Sequence, residues 1–161
     1  MTDMRRKERE VTNPEEIRGF LDECKVCRVA FSGEEAPYIV PMNLAYDLEE
    51  GKLTLYFHCA LTGRKIDLMK KNPKVGFEMD KEIGLVEGEL PCQYSYRFMS
   101  ITGSGTASLT EDETEKARAL AKIMKQQSGK DFDDFEKNPK LTKAVNILRI
   151  DAEEYRCKKN G

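Results

Sequence analysis

Short β-rich runs follow one another through the first part of the chain with no long helix between them. The runs over residues 25–31, 38–46 and 52–57 are rich in β-branched and aromatic side chains, and turn-rich segments over 32–35 and 48–51 separate them. A parallel doubly wound sheet needs a helix after almost every strand, so this order argues against one. We therefore expect three adjacent antiparallel strands within a mainly β domain.

Three helices are expected beside the strands. Asn13, followed by a proline and two acidic residues, predicts the start of a helix that ends near Cys24. Residues 63–71 predict a short helix that the following Asn-Pro pair stops. Thr110 and Glu113 have the spacing of a capping box and predict the start of a longer helix. These helices flank the strands rather than alternate with them.

Further strands complete the predicted domain. A long β-rich run over residues 94–109 contains Gly103 and Gly105, where we expect the strand to bend around a barrel corner. The total of six or seven strands and three helices predicts a mainly β, α+β domain with flanking helices. Other strands are predicted over residues 75–79 and 145–150, and irregular segments over residues 81–89 and 131–140.

Length and charge limit the classes of function. A chain of 161 residues is the size of one domain, so a single domain over residues 1–161 is expected. With 27 basic and 29 acidic side chains, the net charge of −2 gives no overall attraction to nucleic acid. Neither a secretory leader nor an apolar run of about 20 residues is present, so we expect a cytoplasmic protein without membrane contact.

One segment runs from a strand through a short loop into a helix and carries most of the chemistry. His58 ends the strand, Thr62 and Gly63 form the loop, and Arg64 and Lys65 open the helix. Free backbone N–H groups, the positive end of a helix dipole and two cations suit a dianionic phosphate. Solvated surface charges are the alternative, because basic residues are common on helix surfaces.

His58 is the single histidine, and its surroundings decide its role. A zinc site built on histidine and a Ser-His-Asp triad with a nearby partner are therefore not expected, and no metal site is predicted. The imidazole can contact a phosphate or lie over a cofactor ring. The alternative is an ordinary polar residue at the end of a strand.

Four short motifs occur together in this chain: Pro-Tyr-Ile-Val-Pro-Met-Asn at 37–43, Tyr-Phe-His-Cys-Ala at 56–60, Gly-Arg-Lys-Ile-Asp-Leu at 63–68 and Asn-Pro at 72–73. As a set they resemble the flavin-nucleotide-binding branch of the pyridoxamine-phosphate-oxidase-like split β-barrels, which includes the nitroimidazole-resistance reductases. The start of the chain, at 4–10, is also similar to that branch. The resemblance covers the first two thirds by motif and the rest by layout.

The resemblance implies a homodimer of split β-barrels with FMN, or else FAD, at the interface. The Gly63-Arg64-Lys65 turn would hold the phosphate, a strand would lie along the isoalloxazine ring, and His58 would stand beside it. No catalytic residue is assigned, and His58 is the candidate. The implied cofactor-binding residues are Val40, Pro41, Met42, Asn43, His58, Thr62, Gly63, Arg64, Lys65 and Ser100.

A flavin carries its own redox chemistry, so a chain with one histidine and no triad can still be an oxidoreductase. The leading hypothesis is an FMN-dependent enzyme that passes electrons to a small acceptor, including nitroaromatic compounds. The alternatives are a flavin storage or sensing protein, and a split barrel that binds haem, with His58 as axial ligand, or deazaflavin. Residues 151–157 lack the Arg-x-His pattern of the true oxidases, so oxidation of vitamin B6 phosphates is not expected.

Two other patterns have ordinary structural explanations. Cys24 and Cys27 have redox-motif spacing, but they span a helix end and a strand start, whereas redox pairs open a helix. We interpret them as core cysteines, since free cysteine is commonly buried. The acidic segment over residues 131–136 misses the calcium-loop spacing and is interpreted as a solvated turn with two anchoring phenylalanines.

Overall fold

The computed structural model describes residues 5–33 and 36–161. The turn predicted over residues 32–35 and the motif at 4–10 therefore lie partly outside the described residues. Within the two described ranges, no helix is long and apolar enough to cross a membrane. The strands are β1 (Glu10–Val11), β2 (Val26–Phe31), β3 (Tyr38–Glu49), β4 (Lys52–Cys59), β5 (Lys74–Val86), β6 (Ser95–Thr110) and β7 (Asn146–Asn160), and the helices are α1 (Pro14–Glu23), α2 (Arg64–Lys71), α3 (Glu113–Ser128), α4 (Asp134–Lys137) and α5 (Pro139–Lys143).

Six antiparallel strands close into a barrel. The order along the sheet is β7-β4-β3-β2-β5-β6, and pairing between β6 and β7 joins its two ends. The short β1 adds to the free side of β7. This arrangement confirms the mainly β class with flanking helices and the three adjacent strands β2, β3 and β4. The single-domain prediction stays a prediction.

The barrel core comes from the two-residue period of the strands. In β2, Cys27, Val29 and Phe31 are buried while the residues between them are more exposed. The same alternation places Leu55 and Ile101 in the core from β4 and β6. Burial of these side chains is the main stabilising contribution, at roughly 1.5–3 kcal/mol for each large apolar side chain.

β6 is irregular near Gly103 and Gly105, where the sequence predicted a bend. The β6–β7 register shifts between Ser104 and Gly105. A Cβ atom at Gly105 would lie 2.3 Å from the carbonyl oxygen of Asp151, so the two backbones approach too closely for any side chain. This contact allows β6 to turn the corner and pair with β7 along most of its length.

The capping box predicted at Thr110 is wrong. The N-cap of α3 is Asp112, whose carboxylate accepts a hydrogen bond from the backbone N–H of Glu115 at 2.7 Å. Thr110 is instead the last residue of β6, paired with Ile147 in β7. The strand ladder takes the backbone of Thr110, so the helix begins two residues later than the pattern suggested. At α1, by contrast, the predicted N-cap Asn13 is confirmed.

Three predicted boundaries also change. β5 continues to Val86, through much of the segment expected to be irregular, and β7 continues to Asn160. The β5 extension is largely exposed and the β7 extension is mostly half-buried or exposed, so neither shows the regular buried alternation by which a strand is detected. The segment over 131–140 contains α4 and the start of α5 rather than one irregular turn.

α3 covers the outer face of the barrel at β3 and β4. Its Leu120 and Ile123 form a second apolar cluster with Tyr56. Asp47 of β3 accepts hydrogen bonds from Arg118, at 3.1 Å, and from a lysine one turn further along α3. Burial alone would raise the pKa of Asp47, but these two cations hold it below its ordinary value. The helix is therefore anchored by apolar packing and by charge.

The distal halves of β5 and β6 form an exposed hairpin, which we call the β5–β6 arm and define as residues 82–98. The two strands stay paired to Val86 and Ser95, at the end of the arm. Large apolar side chains are nonetheless exposed along it, which is unusual for a surface that faces only water. They are Ile83, Leu85, Val86, Leu90, Tyr94 and Tyr96.

The cysteines confirm the core interpretation of the redox-spaced pair. Cys24 and Cys27 are buried, as are Cys59 and Cys157, whereas Cys92 is exposed. Burial raises the pKa of the Cys24 and Cys27 thiols from 9.0 to about 12, and that of Cys157 to about 11. The buried thiols are thus protonated at neutral pH and unreactive.

We expect iodoacetamide at pH 8 to modify Cys92 roughly 100-fold faster than Cys24 or Cys27, because only an exposed thiolate reacts readily. Peptide mass mapping over time measures the rates, and the same reaction in urea is the control that exposes all five thiols. Equal labelling of Cys24, Cys27 and Cys92 in the native protein would contradict this expectation. So would a Cys24–Cys27 disulfide after mild oxidation.

Candidate functional site

The N-terminus of α2 presents unpaired backbone groups to solvent. Gly63 is its N-cap with φ of 140°, a conformation that an L-residue rarely adopts, and no side chain in the described ranges caps the helix. A Cβ atom on Gly63 would meet no other atom within 4 Å, so the space in front of the helix is open. Thr62 lies exposed in the loop just before it. This terminus can accept an anion.

Two cations adjoin that terminus and have no carboxylate partner among residues 5–33 and 36–161. The Arg64 guanidinium lies over the ring of Tyr38, 4.6 Å from its centroid, which fixes it at the start of β3. Lys65 is half-buried near Cys59; burial raises the pKa of that thiol and the lysine opposes the rise. Two basic side chains without a carboxylate partner in the described ranges, beside an open helix end, favour an anion site.

The first half of β3 has one open edge. β3 pairs with β2 from Tyr38 to Asn43, but it pairs with β4 only from Leu44 onward. The backbone groups of residues 38–43 that point away from β2 therefore have no strand partner among the described residues. A free edge of this kind is usually covered by a ligand or another chain.

Side chains along this segment of β3 alternate between the core and the outside. Val40 is half-buried against the core and Met42 is buried, so a ligand can reach mainly the backbone of these two residues. Ile39, Pro41 and Asn43 point outward and are exposed. The predicted ring contacts at Val40 and Met42 would therefore be mainly main-chain contacts.

His58 lies at the other end of this surface. It is on β4 next to Phe57, whose partner on β3 is Leu44, so the register brings His58 opposite Asn43. The imidazole is exposed, and neither ring nitrogen has a hydrogen-bond partner within the described ranges. Its two nitrogens are thus available to a ligand or to solvent.

A mainly apolar cleft of about 430 Å³ adjoins His58 and Asn43. Helices α3, α4 and α5 form its opposite wall, with Phe135 and Leu141 among the lining side chains. Sequence reasoning missed this wall, as it missed Tyr38 under Arg64. The signal available was the pair of phenylalanines at 132 and 135, which were interpreted as anchors of a turn.

Not every predicted site residue meets the others. Arg64 lies beside Tyr38 at one end of the open β3 edge and His58 lies beside the other end, while Lys65 is near Cys59. Ser100 lies on β6, paired with Asp80 of β5, and β2 and β5 separate it from β3. Three strand spacings are about 14 Å, so Ser100 does not join this surface within one protomer. The assigned roles of all these residues stay predictions.

Comparisons with known proteins support the family. A family model described as Pyridoxamine 5'-phosphate oxidase matches residues 13–159. The search of curated proteins gives no match. Among solved structures, the chain is similar to a candidate 5-nitroimidazole antibiotic resistance protein from Bacteroides thetaiotaomicron, with 25% identity over 93% of this chain and 86% of that one and a TM-score of 0.76.

Two other solved structures share the fold at lower identity. The flavocytochrome Anf3 from Azotobacter vinelandii is 19% identical over 99% of this chain and 72% of that one, with a TM-score of 0.78. An FAD-binding protein from Mesorhizobium loti is 20% identical over 93% and 96%, with a TM-score of 0.64. Because the family model spans nearly the whole chain and the barrel agrees with it, the protein belongs to the pyridoxamine 5'-phosphate oxidase-like split-barrel family.

Proposed function

We propose that the protein is an FMN-dependent oxidoreductase that passes electrons to a small acceptor, with nitroaromatic compounds as the first candidates. The observation that carries the proposal is the open β3 edge. Among the described residues, Arg64 and Lys65 beside this edge have no carboxylate partner, and His58 at its far end has no hydrogen-bond partner. FMN would supply the redox chemistry, so the chain itself needs to bind, orient and shield.

The dimensions of the surface support FMN. From Tyr38 to Asn43 there are five strand steps, which span about 17 Å at 3.3–3.4 Å per residue. An extended ligand can therefore place a phosphate on Arg64 and Lys65 and a ring near His58. The backbone of residues 38–43 would hydrogen-bond the ring edge, and the His58 imidazole would donate or accept a proton beside it. FAD would use the same phosphate seat.

We also propose that the protein acts as a homodimer. Ser100 lies three strands from β3 in its own protomer, so we assign its predicted contact to the site of a second copy. The β5–β6 arm exposes six large apolar side chains, which a monomer would leave in water. An isologous two-fold contact would bury such a surface on both copies.

If the β5–β6 arm forms the dimer interface, acidic side chains introduced on the arm should dissociate the dimer. Leu85 and Tyr96 are directly opposite each other in the β5–β6 register and are both about half exposed. We expect the wild type to sediment as a dimer at micromolar concentration and Leu85→Glu/Tyr96→Glu to sediment as a monomer, because burying four carboxylates is costly. Ser108→Glu, elsewhere on β6, should remain a dimer. A monomeric wild type would exclude the proposed assembly.

Absorbance and turnover test the function together. The visible spectrum of the purified protein and the mass of the molecule released by heat identify the cofactor. Activity is then measured with NADH or NADPH and a panel of acceptors. Bound FMN with acceptor turnover supports the proposal; bound flavin that neither nicotinamide reduces favours storage or sensing. A Soret band would indicate haem on His58, and a chain that binds no flavin at all would refute the proposal.

A further inference from the structure

We infer that the cleft beside His58 is the acceptor pocket, and that it admits uncharged flat rings and rejects anionic ones. This inference rests on the proposed function, since it concerns the acceptor for the same site. The wall that makes the selection is formed by the segment between β6 and β7, which contains α3, α4 and α5. Its side chains are Leu120, Ile123 and Met124 of α3, Phe135 of α4, Leu141 of α5, and Val145.

The cleft has an apolar base and an apolar mouth. Leu120 and Ile123 are buried at its base, while Met124 is 37% exposed and Leu141 is 40% exposed. Large apolar side chains around a concave surface are stabilised when a ligand removes them from water. Phe135, half-buried between them, offers a ring face for stacking. A flat apolar molecule therefore suits the cleft.

The polar groups of the cleft are few and mostly committed. The Asn43 amide nitrogen donates to the carbonyl oxygen of Lys25 at 3.1 Å and to the Gln127 side-chain oxygen at 3.0 Å. The Gln127 amide nitrogen donates to the carbonyl oxygens of Lys25 and Leu44 at 3.1 and 3.2 Å. The groups left for a ligand are the His58 imidazole and the Asn43 oxygen, which lie together at the strand end. One polar substituent on an apolar ring can reach them.

The cleft differs from the proposed phosphate-binding end of the site in the charge of its side chains. Among the described residues that line it, none is a lysine, an arginine or a carboxylate. Lys140 and Lys143 flank Leu141 on α5, but neither lines the cleft. A carboxylate or phosphate would lose part of its hydration there without meeting a counter-charge, which is unfavourable. Arg64 and Lys65, the cations proposed to bind the cofactor phosphate, do not line the cleft. The cleft therefore offers a phosphorylated substrate no cation to bind its phosphate.

The size of the cleft limits the acceptor further. At about 430 Å³ it lies in the lower part of the range for small-molecule pockets, roughly 300–1,000 Å³. It can hold one ring or two fused rings with small substituents. Long-chain quinones and other large acceptors would extend out of it.

Two probes that share a ring and a nitro group separate charge from shape: 4-nitrobenzamide is neutral and 4-nitrobenzoate is anionic. Calorimetric titration of the purified protein measures binding, and turnover measures kcat/KM. We expect the wild type to prefer the neutral probe at least 10-fold in both. Leu141→Lys should reduce that ratio at least 10-fold by adding a counter-charge, while Leu141→Met, of similar length and uncharged, should keep it.

The two measurements distinguish failure of the inference from failure of the proposed function. An unchanged ratio in Leu141→Lys, a wild-type preference for 4-nitrobenzoate, or no binding of either probe would overturn the inference. Neutral-probe binding with the expected ratios but no flavin and no turnover would instead overturn the proposed function and keep the selectivity of the cleft. Unchanged flavin content and circular dichroism in both variants show that the substitutions act in the cleft.

Discussion

Replacing Arg64 and Lys65 together by alanine is expected to weaken FMN binding at least about 100-fold. Hydrogen bonds to charged groups contribute about 1.5–3 kcal/mol each, and every 1.4 kcal/mol changes Kd tenfold. The Tyr38 ring holds the guanidinium in place before any ligand arrives, so its contribution is not reduced by ordering of the side chain. Quenching of FMN fluorescence on titration with protein measures the Kd.

The control for this experiment removes the same charge elsewhere. Lys52→Ala/Lys70→Ala takes one lysine from the start of β4 and one from the last turn of α2, both exposed. FMN affinity should change less than threefold in this variant. Both double variants should keep the wild-type melting temperature within a few degrees, because the replaced side chains contribute little to the core. If the Arg64/Lys65 variant binds FMN as the wild type does, the phosphate is not at the α2 N-terminus.

Gly105→Ala is expected to destabilise the protein by about 3 kcal/mol, the upper end of the usual cost of overpacking. The added methyl group would lie 2.3 Å from the carbonyl oxygen of Asp151, and a backbone atom cannot move aside as a flexible side chain can. The β6–β7 pairing, which closes the barrel, would have to separate locally. Thermal unfolding followed by circular dichroism should show a melting temperature lower by roughly 6–12 °C.

Gly76→Ala is the matched control on the neighbouring strand β5. A Cβ atom there would lie 3.9 Å from both the Ala30 Cβ and the Gly103 carbonyl oxygen, which is ordinary contact. Alanine also restricts the unfolded chain, so the stability of this variant should stay within about 1 kcal/mol of the wild type. Similar melting temperatures for the Gly76 and Gly105 variants would contradict the close approach of β6 and β7.

Local patterns predicted the parts of the fold where burial is periodic. The alternation in β2 and the proline-acid start after Asn13 depend on neighbours in the sequence, and both are confirmed. The prediction missed the outer part of β5 because residues Lys81 to Val86 are mostly exposed, so no alternation of buried and exposed side chains marks them as a strand. The predicted capping role of Thr110 was wrong because its backbone pairs with Ile147. This contact is with a segment distant in sequence, and no local pattern indicates it.

The candidate site likewise contains residues that local sequence patterns could group and residues that they could not. His58, Gly63, Arg64 and Lys65 are close in sequence, so a strand-loop-helix pattern was enough to group them. The apolar wall of the cleft needs α3, α4 and α5 to fold back over β4, and nothing near His58 in the chain indicates that contact. Ser100 was grouped with the others by resemblance alone, and the strand order places it on a different side of the barrel.

The position of β7 in the barrel bears on how the chain is made. β7 pairs with β1, β4 and β6, and β4 is joined to it across all of β5, β6 and four helices, α2 to α5. During synthesis on the ribosome, the edges of β4 and β6 therefore remain unpaired until residues 146–160 emerge. Strand edges of this kind are templates for aggregation, and such distant pairings form slowly. We expect nascent chains that stall before β7 to depend on chaperones, and the barrel to close only after residues 146–160 have emerged.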